Sequence, residues 1–122
     1  MDAPTREELT KKRCRPCEGG LPALTREQSE AIVRNVEGWA LDPDARRITR
    51  SWTVKDFMSA IDFFNRIAAI AEQEDHHPDL HLEGYRKVTI ALSTHAVGGL
   101  TENDFILAAK INELPVALKS GG

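Results

Sequence analysis

The 122-residue chain has few aromatic residues, only two cysteines and no long apolar run. A membrane-spanning helix needs about 20 consecutive apolar residues, and no segment approaches that length. The first residues also lack the hydrophobic core of a signal peptide. Two cysteines are too few for the disulfide framework of a small secreted protein. These absences predict a soluble protein of the cytoplasm.

The chain also lacks a surplus of charge of one sign. It has 16 Lys and Arg residues against 19 Asp and Glu residues, which gives a formal net charge of -3. Nucleic acid and anionic lipid are bound by basic surfaces, so the composition gives no reason to expect either partner. The apolar content of 41% allows one modest hydrophobic core, and the length predicts a single domain.

Residues 1–24 are rich in charge, proline and glycine, and we expect a tail or an arm laid over the domain of residues 25–122. Cys14 and Cys17 in this segment have the spacing of half a zinc site, but a closed structural site needs four ligands and the sequence has no second pair. A redox pair would normally begin a helix, whereas glycine and proline follow here. An inert pair is therefore favoured over a metal site or a redox site.

A Thr residue followed three positions later by an acidic residue or Gln predicts a helix start when an apolar periodic run follows. Gly38, Pro78 and Pro115 are expected to end the three helices that begin this way. The three pairs are Thr25 with Gln28, Thr53 with Asp56, and Thr101 with Asp104.

The segments between these helices predict two β-hairpins. The clearer hairpin joins Leu80–Tyr85 to Val88–Ser93, and a weaker one joins Trp39–Leu41 to Ile48–Trp52. The predicted fold is α+β, with two layers: a four-stranded antiparallel sheet with helices on one face, in the order α-β-β-α-β-β-α. Because the apolar residues of the last strand share one face, parity places His95 on the other face, outside the core.

The most unusual stretch is Glu-Gln-Glu-Asp-His-His-Pro at residues 72–78, where the second helix is expected to end. Carboxylates there face the negative end of the helix dipole, and each costs roughly 0.3–1 kcal/mol when exposed. Protonated histidines would offset part of this cost, and neighbouring carboxylates favour that charged form. The stretch therefore has the character of a site that titrates near neutral pH.

The histidines also allow other interpretations. His76 and His77 could be a helix cap and a surface residue, and His81 is expected to be a surface residue. All three, with His95, could instead be metal ligands, although Pro78 breaks the helix across which His77 and His81 would form a pair.

Three further residues have structural explanations that compete with functional ones. Asp104 could act only in its capping box. Trp39 and Tyr85 are more often core or edge aromatics than platforms on which a ligand ring stacks.

One pattern of spaced residues covers much of the chain. It resembles the signature of the pterin-4a-carbinolamine dehydratase family, and the likeness extends over roughly residues 24–114, including Gly38-Trp39. The pattern consists of Glu72, three residues, His76-His77-Pro78, six residues, Tyr85, nine residues, His95, eight residues and Asp104.

The resemblance implies an α+β enzyme that removes water from 4a-hydroxytetrahydropterin to give quinonoid dihydropterin in tetrahydropterin recycling. It implies no metal and no organic cofactor, because the pterin is the substrate. It also implies a homo-oligomer, either a dimer or a tetramer. Some members of the family are dimerisation partners of a transcription factor, so the alternative is a non-catalytic binding module of the same fold.

The resemblance also implies roles for individual residues. His76, His77 and His95 would line the pterin pocket, with His76 and His95 as the proton-transferring pair and His77 chiefly positioning the substrate. Imidazole suits both halves of such a transfer at neutral pH. Glu72 and Asp75 would orient the imidazoles or bind the amide and amino edge of the pterin, and Trp39 would form a wall of the pterin ring. Pro78 and Asp104 would also bind the substrate.

Overall fold

A four-stranded antiparallel sheet with strand order β1-β2-β4-β3 forms the centre of the protein. The computed structural model describes residues 3–15 and 22–120, and it confirms the predicted α+β class. The strands are Ala40–Leu41 (β1), Ile48–Thr53 (β2), Asp79–Glu83 (β3) and Lys87–Leu92 (β4). The helices are Arg6–Lys11 (α1), Arg26–Val33 (α2), Phe57–Glu74 (α3) and Glu102–Asn112 (α4).

The two predicted hairpins are joined through their inner strands. β2 and β4 pair antiparallel over six residues, from Ile48 opposite Leu92 to Thr53 opposite Lys87. Ser51 and Thr89 face each other across this pairing and are linked by a hydroxyl–hydroxyl hydrogen bond of 3.0 Å. Their face of the sheet carries polar residues, as expected for a sheet that is covered on one side only.

The other face of the sheet carries the hydrophobic core, to which α3 and α4 contribute. Trp52 of β2 meets Trp39 and Phe63 edge to face, with ring centroids 6.0 and 5.0 Å apart. Phe63 of α3 and Phe105 of α4 are fully buried. α4 is buried along nearly its whole length, so it is the central element of the helical layer.

Two of the three predicted helix starts are confirmed and one is wrong. Thr25 and Thr101 are the N-caps of α2 and α4. Thr53 is not a cap, because it continues β2 as its last paired residue. The N-cap of α3 is Asp56, whose carboxylate accepts hydrogen bonds from the amide and the hydroxyl of Ser59 at 2.8 and 2.7 Å.

The predicted order of elements lacked one helix, α1, at residues 6–11. Thr5 and Glu8 form a capping box at its start, which is the same local signal that marks α2. Leu9 of this helix is fully buried in the core, and α1 packs against α4. The high charge of the surrounding segment concealed this single apolar anchor.

α3 ends in a Schellman motif, in which the chain reverses through one left-handed residue. Asp75 has a φ of +53°, and its amide bonds back to the carbonyl of Glu72 at 3.3 Å. The amide of His76 bonds back to the carbonyl of Ala71 at 3.1 Å. This reversal leaves Asp75 exposed and His76 buried.

We predict that Asp75→Gly is more stable than Asp75→Ala by about 1 kcal/mol, because an L side chain is strained in the left-handed region and glycine is not. Both variants remove the same carboxylate from the helix end, so their difference isolates the backbone effect. Urea unfolding followed by circular dichroism measures it. Equal stabilities would contradict this explanation.

Candidate active site

The centre of the site is a buried pair formed by His76 and Asp104. The Nε2 atom of His76 lies 2.6 Å from Oδ1 of Asp104. The side chain of His76 is 7% exposed and that of Asp104 is completely buried. His76 follows the reversal at the end of α3, and Asp104 lies in the first turn of α4, where the helix dipole stabilises a negative charge.

The second carboxylate oxygen of Asp104, Oδ2, also has hydrogen-bond donors. Oδ2 accepts a hydrogen bond from the backbone amide of Thr101 at 3.0 Å and from the hydroxyl of Thr94 at 2.8 Å. A carboxylate surrounded by donors acts as an acceptor, which places the imidazole proton of His76 on Nε2. Nδ1 of His76 is then the ring nitrogen that is available for proton exchange.

Thr94 links this pair to the loop that carries His95. Its backbone amide donates to the carbonyl of Gly99 at 2.7 Å, which closes the loop of residues 94–99. His95 begins a short 3-10 turn, His95–Val97, and its side chain is exposed. One residue therefore holds both Asp104 and the His95 loop. No local sequence pattern marks Thr94, because its contact with Asp104 spans ten residues.

His77 and Glu72 form a second pair, which lies on the surface. Nε2 of His77 lies 2.5 Å from Oε2 of Glu72, and both side chains are more than half exposed. Water screens such a pair, so it contributes little to stability. Its effect is to orient the imidazole of His77, next in the chain to the buried imidazole.

Within the single chain, Trp39 does not lie beside the His76–Asp104 pair. It is buried in the core, and its indole Nε1 donates to Oδ1 of Asn112 at 2.9 Å. Asn112 ends α4, whereas Asp104 lies in its first turn, and eight residues of helix span about 12 Å. The predicted role of Trp39 as a wall of the pterin ring therefore has no support from its position in the single chain.

The other residues of the signature lie around the β3–β4 hairpin and the turn that precedes it. Asp75 is exposed in the reversal, and Pro78 is half-buried directly before β3. Tyr85 lies exposed in the hairpin turn with a φ of +57°, and the guanidinium of Arg86 lies 4.9 Å from its ring. His81 is exposed on β3.

Cys14 has the properties of an unreactive thiol. Burial and the nearby negative charge of Glu74 raise its pKa to about 12, so the thiolate that binds metals or attacks disulfides is scarce at neutral pH. Its Sγ atom lies 3.6 Å from the carbonyl oxygen of Asn103. Cys17, the other half of the predicted pair, lies outside the described residues.

Within residues 3–15 and 22–120, no group of three His, Cys, Asp or Glu side chains is placed to hold a metal ion. A cavity of about 330 Å³ lies away from the histidines, between α3 and the segment that follows α4. It is lined by Ser59, Asp62, Arg66, Pro115, Val116 and Ala117.

The chain is similar to known proteins in sequence and in fold. The family model for pterin 4 alpha carbinolamine dehydratase matches residues 22–114. The Arabidopsis thaliana protein named pterin-4-alpha-carbinolamine dehydratase 2, mitochondrial, is 54% identical over 112 residues, which cover 89% of this chain and 60% of that protein. A putative pterin-4-alpha-carbinolamine dehydratase of Halorhodospira halophila is 47% identical over 106 residues, which cover 87% of this chain and 96% of that protein.

Solved structures show the same fold. A transcriptional coactivator/pterin dehydratase from Brucella melitensis superposes with a TM-score of 0.69 at 36% identity, covering 75% of this chain and 96% of that chain. A pterin dehydratase-like RuBisCO assembly factor of the alpha-carboxysome, at 19% identity and a TM-score of 0.53, shares the fold alone. The family match over most of the chain and the identity of these relatives show that the chain belongs to the pterin-4a-carbinolamine dehydratase family.

Proposed function

We propose that this protein dehydrates 4a-hydroxytetrahydropterin to quinonoid dihydropterin by acid–base catalysis with histidine side chains. Membership of the family supports the reaction. The observation that carries the mechanism is the buried His76–Asp104 pair, which Thr94 connects to the loop of His95.

The reaction needs two proton transfers at neighbouring atoms. The C4a–O bond breaks as the 4a-hydroxyl gains a proton and leaves as water. N5 loses its proton, and the released electron pair forms the N5–C4a double bond. An acid and a base must therefore lie on either side of one ring carbon, and each positioned group contributes roughly 10²–10⁴-fold to the rate.

The surroundings of His76 favour it as the base. With Nε2 donating to Asp104, Nδ1 can accept the proton from N5. The buried carboxylate then stabilises the imidazolium that forms. His95 is exposed on its loop and acts as the acid towards the departing hydroxyl. His77, oriented by Glu72, positions the substrate at the surface of the site.

We expect His76→Gln and His95→Gln each to lower kcat by about 10²–10⁴-fold, because each removes one proton-transferring group. Glutamine at position 76 can still donate to Asp104, so the buried carboxylate keeps a partner and the variant is expected to fold. The rate is measured by stopped flow with freshly generated substrate at neutral pH in excess chelator. His81→Gln, on the exposed edge strand, is the matched control and should keep the full rate.

Either of two results would contradict this mechanism. One is a folded His76→Gln or His95→Gln protein that keeps its rate within a few-fold of the unmodified protein. The other is an activity that all the histidine variants retain and that chelator alone removes.

Thr94→Val tests the link between Asp104 and the His95 loop. The change keeps the shape of the side chain and removes the hydroxyl that donates to Oδ2 of Asp104. We expect kcat to fall by about tenfold, because small errors in the placement of catalytic groups are costly, and KM to change little. Thr89→Val removes a hydroxyl on the open face of the sheet and should leave kcat unchanged. An unaltered kcat in a folded Thr94→Val protein would contradict the link.

A binding role is the second candidate. The Brucella melitensis relative is described both as a transcriptional coactivator and as a pterin dehydratase, so the fold is compatible with partner binding. A well-folded protein that gives no acceleration over the spontaneous dehydration would favour this role.

We also propose that the chain forms a homo-oligomer. Four large apolar side chains are at least half exposed. They are Phe57, Met58, Tyr85 and Leu118. The segments that carry them are joined, because residues 54 and 118 form a bridge and the amide of Val54 bonds to the carbonyl of Arg86. Apolar clusters of this kind are typical of contact surfaces.

Sedimentation velocity at micromolar concentrations should show a dimer or a tetramer, and a monomer throughout that range would contradict the proposal.

The proposed location is the cytoplasm, which rests on the composition of the sequence. In the part of the chain that the structure describes, no helix is long and apolar enough to cross a membrane. One relative, from Arabidopsis thaliana, is named as mitochondrial.

A further inference from the structure

A short extended segment, residues 12–15, crosses from α1 to the place where α3 ends and α4 begins. We call this segment the strap. We propose that the strap is a positioning element for the His76–Asp104 pair and that Glu74 and Asn103 are the residues through which it acts. This inference rests on the proposed dehydratase function.

The first anchor of the strap is Asn103. Its Oδ1 accepts from the backbone amide of Arg15 at 2.9 Å, and its Nδ2 donates to the carbonyl of Arg15 at 2.6 Å. The two bonds fix one strap residue in both position and orientation. Asn103 is almost completely buried and directly precedes Asp104 in α4, so a displacement at Arg15 is transmitted to the backbone of Asp104.

The second anchor is Glu74, the last residue of α3. Its Oε1 accepts from the backbone amide of Cys14 at 2.8 Å, and its Oε2 accepts from Nζ of Lys110 at 2.8 Å. One carboxylate thus joins the strap, the end of α3 and the last turn of α4. Only Asp75 separates Glu74 from His76, so this junction sets where the chain begins the reversal that buries the imidazole.

Glu74 is charged at neutral pH despite its burial. Burial raises the pKa of its carboxyl group, but the hydrogen bonds from Lys110 and from the Cys14 amide outweigh that effect and hold the pKa below its usual value of 4.5. A carboxyl group whose pKa is lowered on folding stabilises the folded state above the usual pKa and loses that contribution as the pH falls further. The junction is therefore intact at the pH of the reaction and weakens only in acid.

The strap is itself held in place on its N-terminal side. It continues from α1, whose Leu9 is fully buried, and the carbonyl of Pro4 accepts from Nδ2 of Asn35 at 2.9 Å. The family match begins only at residue 22. α1 and the strap therefore support the matched region from outside it. Its exposed ion pair, Lys12 with Glu102, is solvated and contributes little.

The experiment compares Asn103→Ala, which removes both bonds to Arg15, with Lys12→Ala, which removes only the exposed ion pair of the same strap. We expect Asn103→Ala to lower kcat by about tenfold with KM within about twofold, since misplacement by 1 Å can cost up to about 10²-fold. We expect Lys12→Ala to keep kcat within about twofold.

A second measurement does not depend on activity. The ring nitrogen resonances of His76 in ¹⁵N NMR should shift in Asn103→Ala and stay unchanged in Lys12→Ala, because only the first variant disturbs the partner of Nε2. If the unmodified protein proves inactive, the dehydratase proposal fails while this measurement still tests the strap.

Glu74→Gln provides the same test from the other anchor, and it decides the matter if Asn103→Ala is too unstable to assay. Glutamine has nearly the same shape but cannot accept from both Cys14 and Lys110 with the strength of a carboxylate. It should lower kcat and shift the His76 resonances. A folded Asn103→Ala or Glu74→Gln protein with unchanged kcat and unchanged His76 resonances would overturn the proposal, even if its melting temperature falls.

Discussion

The rest of the site depends on the hydrogen bonds to the buried carboxylate of Asp104. A fully buried charge is very costly unless donors surround it, and Asp104 receives its donors from three separate parts of the chain. His76 reaches it from the end of α3, Thr94 from the loop after β4, and Thr101 from the start of its own helix. Because the buried carboxylate needs all three donors, the relative positions of the elements that carry them are closely defined.

The acidic end of α3 is the second constraint. Carboxylates at a helix C-terminus are unfavourable, yet each one here has a defined environment. Glu72 meets His77, Glu74 meets Lys110 and the strap, and Asp75 occupies the left-handed position of the reversal. Of the three, only Glu74 has a largely buried cationic partner that offsets its cost, and the reversal at Asp75 buries His76.

Local patterns predicted much of the fold. The alternation of β4, the two hairpins and the caps at Thr25 and Thr101 depend on neighbouring residues, which is why the sequence reveals them. Thr53 was wrongly predicted to be a helix N-cap because its hydroxyl suits that role. It belongs to β2 instead, because it pairs with Lys87 of β4. α1 was missed although Thr5 and Glu8 carry the capping pattern, because no apolar periodic run follows them and the one buried residue of the helix, Leu9, packs into a distant core.

The site was predicted in part, for the same reason. The spacing of the signature predicts His76, His95 and Asp104 as site residues, and the structure brings His76 and Asp104 together. Thr94 and Glu74 become candidates only through contacts that the folded chain creates. Glu74 was noticed as one member of an acidic cluster, but its partners lie 36 and 60 residues away in the sequence.

We propose that the pterin ring binds between His76 and His95 and exchanges protons with them. A crystal structure of the protein with a bound non-reactive pterin analogue tests this most directly. We predict that ring nitrogens of both histidines lie within about 2.6–3.2 Å of the N5 and C4a region of the analogue, directly or through one water molecule. An analogue bound in the cavity beside Ser59 and Arg66, or in contact with neither histidine, would contradict it.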